Sequence, residues 1–153
     1  KTSTPESSLT TPSRLEVNEE ALKGLQINVW MPWYGIESSL FLTFVNDFNS
    51  TNPWGINVAA QSQVNFSNLY ETVTASLPTA NQPDMVIALP EHAQAWFADG
   101  EVTDLNDYVQ DPVYGLDASD IADAFWNQDM TTDEARVGIP AQRTAQILLW
   151  NQT

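Results

Sequence analysis

Asn81-Gln82-Pro83-Asp84-Met85-Val86-Ile87-Ala88-Leu89-Pro90 decides the fold. Met85 to Leu89 is an unbroken apolar run between two prolines. Such a run reads as a strand covered on both faces, the pattern of a parallel sheet flanked by helices. Pro90 stands where a first helical position would be, and Gly100 where a left-handed terminator would be. A short helix carrying Trp96 and Phe97 is expected between them. Toward the amino terminus, Phe66, Leu69, Tyr70, Val73 and Leu77 recur at helical spacing, with Asn65 or Ser67 as cap. Ile56 to Ala60 reads as a further strand. Leu40, Phe41, Phe44, Val45 and Phe48 share one face of a helix over Glu37 to Phe48, which Asn49 to Pro53 stops. Leu25 to Trp30 alternates apolar and polar residues, as a first strand does. The order strand, helix, strand, helix, strand, helix implies parallel strands joined by right-handed crossovers.

The carboxyl-terminal part is less regular. Leu105, Tyr108 and Val109 suit a packed turn or short helix, and Ile121 and Phe125 another. Arg136 to Pro140 and Gln146 to Trp150 each read as a strand. At the other end, Lys1 to Arg14 is rich in Ser, Thr and Pro and has no aromatic residue. It buries too little apolar surface to offset its ordering entropy, so it reads as a flexible tether. Leu15 to Lys23 begins to order, with Glu19 to Leu22 as one helical turn. The expected division is a tether over 1–23, a lobe over 24–140 and an outgoing segment over 141–153.

Composition narrows the functions. The 153 residues are 42% hydrophobic, enough for one domain with a core. The net charge is −15, with 5 Lys plus Arg against 20 Asp plus Glu. So few cations argue against nucleic acid and against anionic membrane surfaces, both of which are held by displacing counterions with Lys and Arg. With no Cys and a single His, His92, the chain offers no disulfide, no thiolate metal site and no His pair. Neither a metal nor a cofactor is expected. Lys1 opens a polar stretch without the apolar core of a secretory signal.

Four landmarks, taken in order, resemble the first lobe of the carbohydrate-type extracellular solute-binding proteins, the maltodextrin-binding-like group. Ile27-Asn28-Val29-Trp30 leads into a helix ending Phe44-Val45-Asn46-Asp47-Phe48-Asn49, then Asn52-Pro53. Asn81 to Val86 resembles that group's entry to its third strand. Trp96 to Gly100 with Val102 to Leu105 resembles the next stretch. Val137 to Pro140 followed by Ile147 to Asn151 resembles the last. Trp150 stands where that group often has Tyr, and the loop Asn127 to Asp133 is longer and more acidic than its counterpart. The resemblance covers about Leu25 to Asn151. It implies an α/β fold: a three-layer, periplasmic-binding-protein-like lobe with a mainly parallel central sheet flanked by helices. It further implies non-covalent capture of a carbohydrate in a cleft between two lobes and delivery to the membrane permease of an ABC importer. Location is then extracellular or periplasmic, tethered through a lipidated amino terminus. Such proteins have two lobes, so the chain reads as a fragment, either a designed single lobe or a proteolytic product. Residues 146–151 would enter the second lobe's sheet, and without it they are expected to pair with another copy.

In an open parallel sheet, ligands bind beyond the carboxyl ends of the strands. The loops there carry the candidate ligand-binding residues. Trp33 and Tyr34 offer flat surface to the C–H faces of a sugar. Gln61 and Ser62 follow the second strand, and their amide and hydroxyl suit sugar hydroxyls. Glu91 and His92 open a helix. Gln142, Arg143 and Thr144 lie where the resemblance places the first interlobe crossing, with Arg143 equally suited to an interlobe ion pair. Each has a plainer reading: Trp33 as packing, Glu91 as a dipole partner, His92 as a packed histidine, and Gln61 and Ser62 as an ordinary polar loop. Two rivals remain. The same fold binding a polyamine or other organic cation would use Trp33 and Tyr34 as an aromatic face and Glu91 as counter-ion. A small α/β enzyme would need His92, yet no G-x-S-x-G elbow, G-x-G-x-x-G turn or P-loop is present. Asp117 and Asp120 form the sort of acidic pair that so acidic a chain contains by chance. A receiver-like signalling domain would want carboxylates, not Met31-Pro32-Trp33-Tyr34, beyond its first strand.

Overall fold

The computed structural model of the chain describes residues 12–143. Its elements in order are α1 (Glu19–Leu22), β1 (Gln26–Met31), α2 (Gly35–Thr51), β2 (Asn57–Ser62), α3 (Phe66–Ser76), β3 (Met85–Val86), α4 (Pro90–Ala98), α5 (Asn106–Val109) and α6 (Asp123–Trp126). A 3₁₀ turn, Asn127–Asp129, follows α6. The strands form one sheet in the order β2-β1-β3, and both pairings are parallel. Gln26 to Met31 lie opposite Asn57 to Ser62, while Val29 and Trp30 lie opposite Met85 and Val86.

Local signals place most of the boundaries. Asn65 caps α3 by accepting from the Asn68 N–H at 2.8 Å. Pro90 begins α4 without losing a helical hydrogen bond, since the first N–H groups of a helix have no partner inside it. At the far end, the Gly100 N–H reaches the Phe97 carbonyl and the Glu101 N–H reaches the Trp96 carbonyl, each at 2.9 Å. This Schellman closure needs Gly100 at φ +81°, a conformation a side chain would strain.

Side chains alternate along β1, so its two faces carry different residues. Trp30 turns toward α3 and α4. There it joins the cluster centred on Leu69, Val73 and Trp96, with Val86, Ala88 and Val102 packed around it. The Trp96 indole N–H is satisfied by the Thr74 hydroxyl at 3.0 Å. Val29 and Met31 are buried on the other face, which looks toward α2. The sheet therefore sits between two helical layers.

Four expectations change. The helix expected over Glu37 to Phe48 extends to both sides, but of its expected apolar face only Val45 is buried; Leu40 and Phe44 are 56% and 63% exposed. The expected strand Met85 to Leu89 shrinks to two residues, because only β1 pairs with it. Arg136 to Pro140 is not a strand: it makes one isolated bridge, Met130 to Arg136. Its backbone is held otherwise, with the Arg136 N–H on Asp104 Oδ1, the Arg136 carbonyl on the Leu105 N–H and the Val137 N–H on the Asp129 carbonyl. Last, the tether drawn through residue 23 is fastened well before that point. Asp111 Oδ2 accepts from the Ser13 hydroxyl at 2.8 Å and from the Arg14 N–H at 2.7 Å. Residues 1–11 and 144–153, with Thr144 and the expected strand Gln146 to Trp150, lie outside the described residues.

Leu69 is fully buried at the centre of the core. Leu69→Ala should lower unfolding free energy by about 2–5 kcal/mol, read from the urea midpoint, because the cavity left cannot close. A loss under about 1 kcal/mol would move the core elsewhere. Asp111 gives a pH prediction. Burial alone would raise its pKa, but the backbone N–H groups of Tyr114 and Val113, the Ser13 hydroxyl and the Arg14 N–H together hold it well below the usual carboxylate range. A group depressed on folding stabilises above its unfolded pKa, about 3.9, and that contribution fades as pH falls through the lower folded value. The amides of Arg14 and Leu15 should therefore stay protected from exchange at pH 5 to 7 and lose protection only in strong acid. Asp111→Ala should expose them at neutral pH.

Candidate functional site

The chain leaves β1 for α2 on one face of the sheet, and leaves β3 for α4 on the other. Neighbouring parallel strands whose following loops part in this way leave a crevice at their carboxyl ends, the place where open α/β sheets bind ligands. A cavity of about 1390 Å³ begins in that crevice and runs along β3. Trp33, Glu91, Gln142 and Arg143 line it, from three separate stretches of chain.

Trp33 is half-buried, and its ring is held edge-on by Phe41 of α2, centroids 5.6 Å apart. The Ser62 hydroxyl donates to the Trp33 carbonyl and accepts from the Val64 N–H at 3.1 Å. The loop after β1 is thereby tied to the loop after β2. Glu91 is exposed in the first turn of α4, where a carboxylate complements the helix dipole and also faces the cavity. Gln142 is exposed and also lines the cavity.

Arg143 is committed elsewhere: its guanidinium pairs with the buried carboxylate of Asp129 and donates to the Gln142 carbonyl at 3.1 Å. Asp129 sits in a small frame. Arg136, 3% exposed, lies over the Trp126 ring at 3.7 Å and donates to the Trp126 carbonyl at 2.9 Å. Burial lowers the Arg136 pKa, and the nearby charges of Asp129 and Asp104 oppose that shift. Through the Asp129–Arg143 pair and the Arg143 bond to the Gln142 carbonyl, the frame holds the backbone at Gln142 against the cavity. Removing either partner of the Asp129–Arg143 pair would strand a charge that is mostly shielded from water.

Of the other candidates among the described residues, none lines the cavity. Tyr34 precedes α2 with its ring outward, 68% exposed. Gln61 is exposed in β2 opposite Trp30. The Ser62 hydroxyl is used to hold Trp33. His92 packs on Tyr70 and Trp96, ring centroids 4.6 and 6.0 Å away, and its buried Nδ1 has no partner among the described residues. It belongs to the α3–α4 layer. Phe41, Trp126, Asp129 and Arg136 were not singled out from sequence as parts of the site. Of these, only Asp129 lies in the longer acidic loop over Asn127 to Asp133, the one departure in the sequence near the frame.

The cavity wall carries Asp84, Glu91, Glu101 and Asp129 against one cation, Arg143. Its remaining surface is largely aliphatic and aromatic. Such a wall suits a neutral or cationic ligand and repels an anion. Among the described residues, no three His, Asp or Glu are grouped to hold a metal ion, and no helix is long and apolar enough to cross a membrane.

No family model and no curated relative matches the sequence. Among solved structures, the chain is similar to CpMnBP1 with mannotriose bound, with TM-score 0.57 and 21% identity over 74% of this chain and 27% of that one. It is similar also to CpMnBP1 with mannobiose bound, with TM-score 0.57 and 20% identity over 75% of this chain and 29% of that one. The chain thus spans less than a third of those proteins' length. The likeness is one of fold: an α/β architecture with a parallel sheet between helices.

Proposed function

We propose that this chain is the amino-terminal lobe of a carbohydrate-binding protein that captures a neutral oligosaccharide in the crevice between the loops after β1 and β3. The observation that carries the reading is Trp33, set edge-on by Phe41 beside the polar groups of Glu91 and Gln142 in one cavity. A fixed aromatic face with a few directed polar groups is what a sugar's C–H faces and hydroxyls require. The shared fold with a protein that holds mannotriose and mannobiose supports a mannose-type oligosaccharide as the first ligand to try. No bond is made or broken. A second lobe closes over the sugar by a hinge in this reading, and the closed form docks on the permease of an ABC importer. Such a protein works outside the cytoplasm, held to the membrane through a lipidated amino terminus ahead of the Ser/Thr/Pro-rich segment.

One wall alone is expected to bind weakly, with Kd on the order of 1 mM, about −4 kcal/mol. Tryptophan fluorescence titrated with mannotriose should show a saturable change in that range. Trp33→Ala should abolish it, since stacked aromatics at a binding site contribute about 1–3 kcal/mol. Spermidine should give no saturable change. A response to spermidine alone would turn Glu91 and Trp33 into a cation site, and an unchanged mannotriose response in Trp33→Ala would remove that ring from the site.

A further inference from the structure

Val64 holds a backbone conformation that a β-branched residue rarely takes. Its φ is +72°, and the Asn65 N–H closes a tight turn around it on the Gln63 carbonyl at 2.9 Å. A turn of this size and hand is strained in any chain, and most of all around a valine. Such strain persists where the surroundings fix both ends. On one side the Gln63 N–H extends the β1–β2 ladder onto the Met31 carbonyl at 2.7 Å. On the other, Asn65 is the cap of α3. Little burial offsets the strain, since Val64 is 52% exposed.

What the turn delivers is the Val64 N–H, aimed back at the Ser62 Oγ at 3.1 Å. A serine hydroxyl has a single hydrogen to donate. With a donor already directed at its oxygen, the Ser62 hydroxyl turns that hydrogen outward, onto the Trp33 carbonyl. No other group among the described residues bonds the backbone of Trp33. Tyr34, the next residue, precedes α2 without a side-chain cap bond. The segment that carries Trp33 is thus held at the ring by Phe41 and at the backbone by Ser62.

We propose that Ser62 is the positioning residue for Trp33: its hydroxyl, directed by the left-handed turn at Val64, fixes the orientation in which Trp33 offers its ring to the ligand. Ser62 does not line the cavity, so it acts through Trp33 and not by touching the sugar. The consequence for binding rests on Trp33 being the ligand surface, as proposed above. The hold on the ring does not, and it can be read without any ligand.

Fluorine NMR of the chain labelled with fluorinated tryptophan tests both parts. Each of the six Trp residues gives a signal, and Trp33→Phe assigns the one at the site. In Ser62→Ala the Trp33 signal should shift and broaden, while that of Trp96, locked in the core cluster, stays sharp. Ser62→Thr keeps the hydroxyl and should keep the Trp33 signal. Ser62→Val has the shape of threonine without the hydroxyl and should lose it, so this pair isolates the hydroxyl even if alanine loosens the end of β2. Mannotriose should bind the Ala and Val variants about fivefold more weakly and the Thr variant as the parent, the loss expected of one hydrogen bond. A Trp33 signal that Ser62→Ala and Ser62→Val leave unchanged overturns the proposal, whether or not mannotriose binds. So does a broadened signal with mannotriose affinity unmoved, because the ring that Ser62 holds would then not be what the sugar meets. The expected signals in a chain whose parent shows no mannotriose response would uphold Ser62 as the hold on Trp33 and place the failure in the sugar reading alone.

Discussion

β1 carries a parallel partner on each edge, and the rest of the molecule follows from that. A parallel neighbour cannot be reached by a tight turn, so each connection must cross a face of the sheet as a helix. With right-handed crossovers, passing from β1 to β2 places α2 on one face, and returning past β1 to β3 places α3 on the other. Trp30 and Val29, adjacent in sequence, consequently serve two different cores. The loops that follow β1 and β3 have to part, and the crevice between them is a result of topology before any ligand is considered.

The fold was legible because its signals are local. The Met85 to Leu89 run, the Asn65 cap, Pro90 at a helix start and Gly100 at its end each act within a few residues, so each can be read without knowing what lies across the sheet. What failed was long-range. The apolar face of α2 has the spacing of a packed helix, yet Phe44 and Phe48 look onto the cavity along β3. Arg136 to Pro140 has the composition of a strand, but Asp104 and Asp129 reach its backbone first. Ser13 to Leu15 has the composition of a tether, and a single carboxylate far along the chain holds it.

The site was legible to a lesser degree. Topology places Trp33 and Glu91 beyond the carboxyl ends of their strands, and the structure brings both to one cavity with Gln142. Sequence position alone could not separate Tyr34, which is exposed, from Trp33, which lines the cavity, nor show that the Ser62 hydroxyl is spent on the Trp33 carbonyl. His92 drew notice as the one histidine, and its surroundings are aromatic packing. The residues that give the site its shape, Phe41 behind Trp33 and the Asp129–Arg143 pair beneath Gln142, act through contacts that no spacing in the sequence announces.

A map of amide and indole chemical-shift changes on adding mannotriose up to about 10 mM tests the central claim directly, because it asks where on the sheet the ligand sits. The topology predicts changes confined to Trp33, Glu91, Gln142 and their immediate neighbours at the carboxyl ends of β1 and β3. Changes centred on α5 and α6 or on the outer edge of β2, or no change at all, would contradict it.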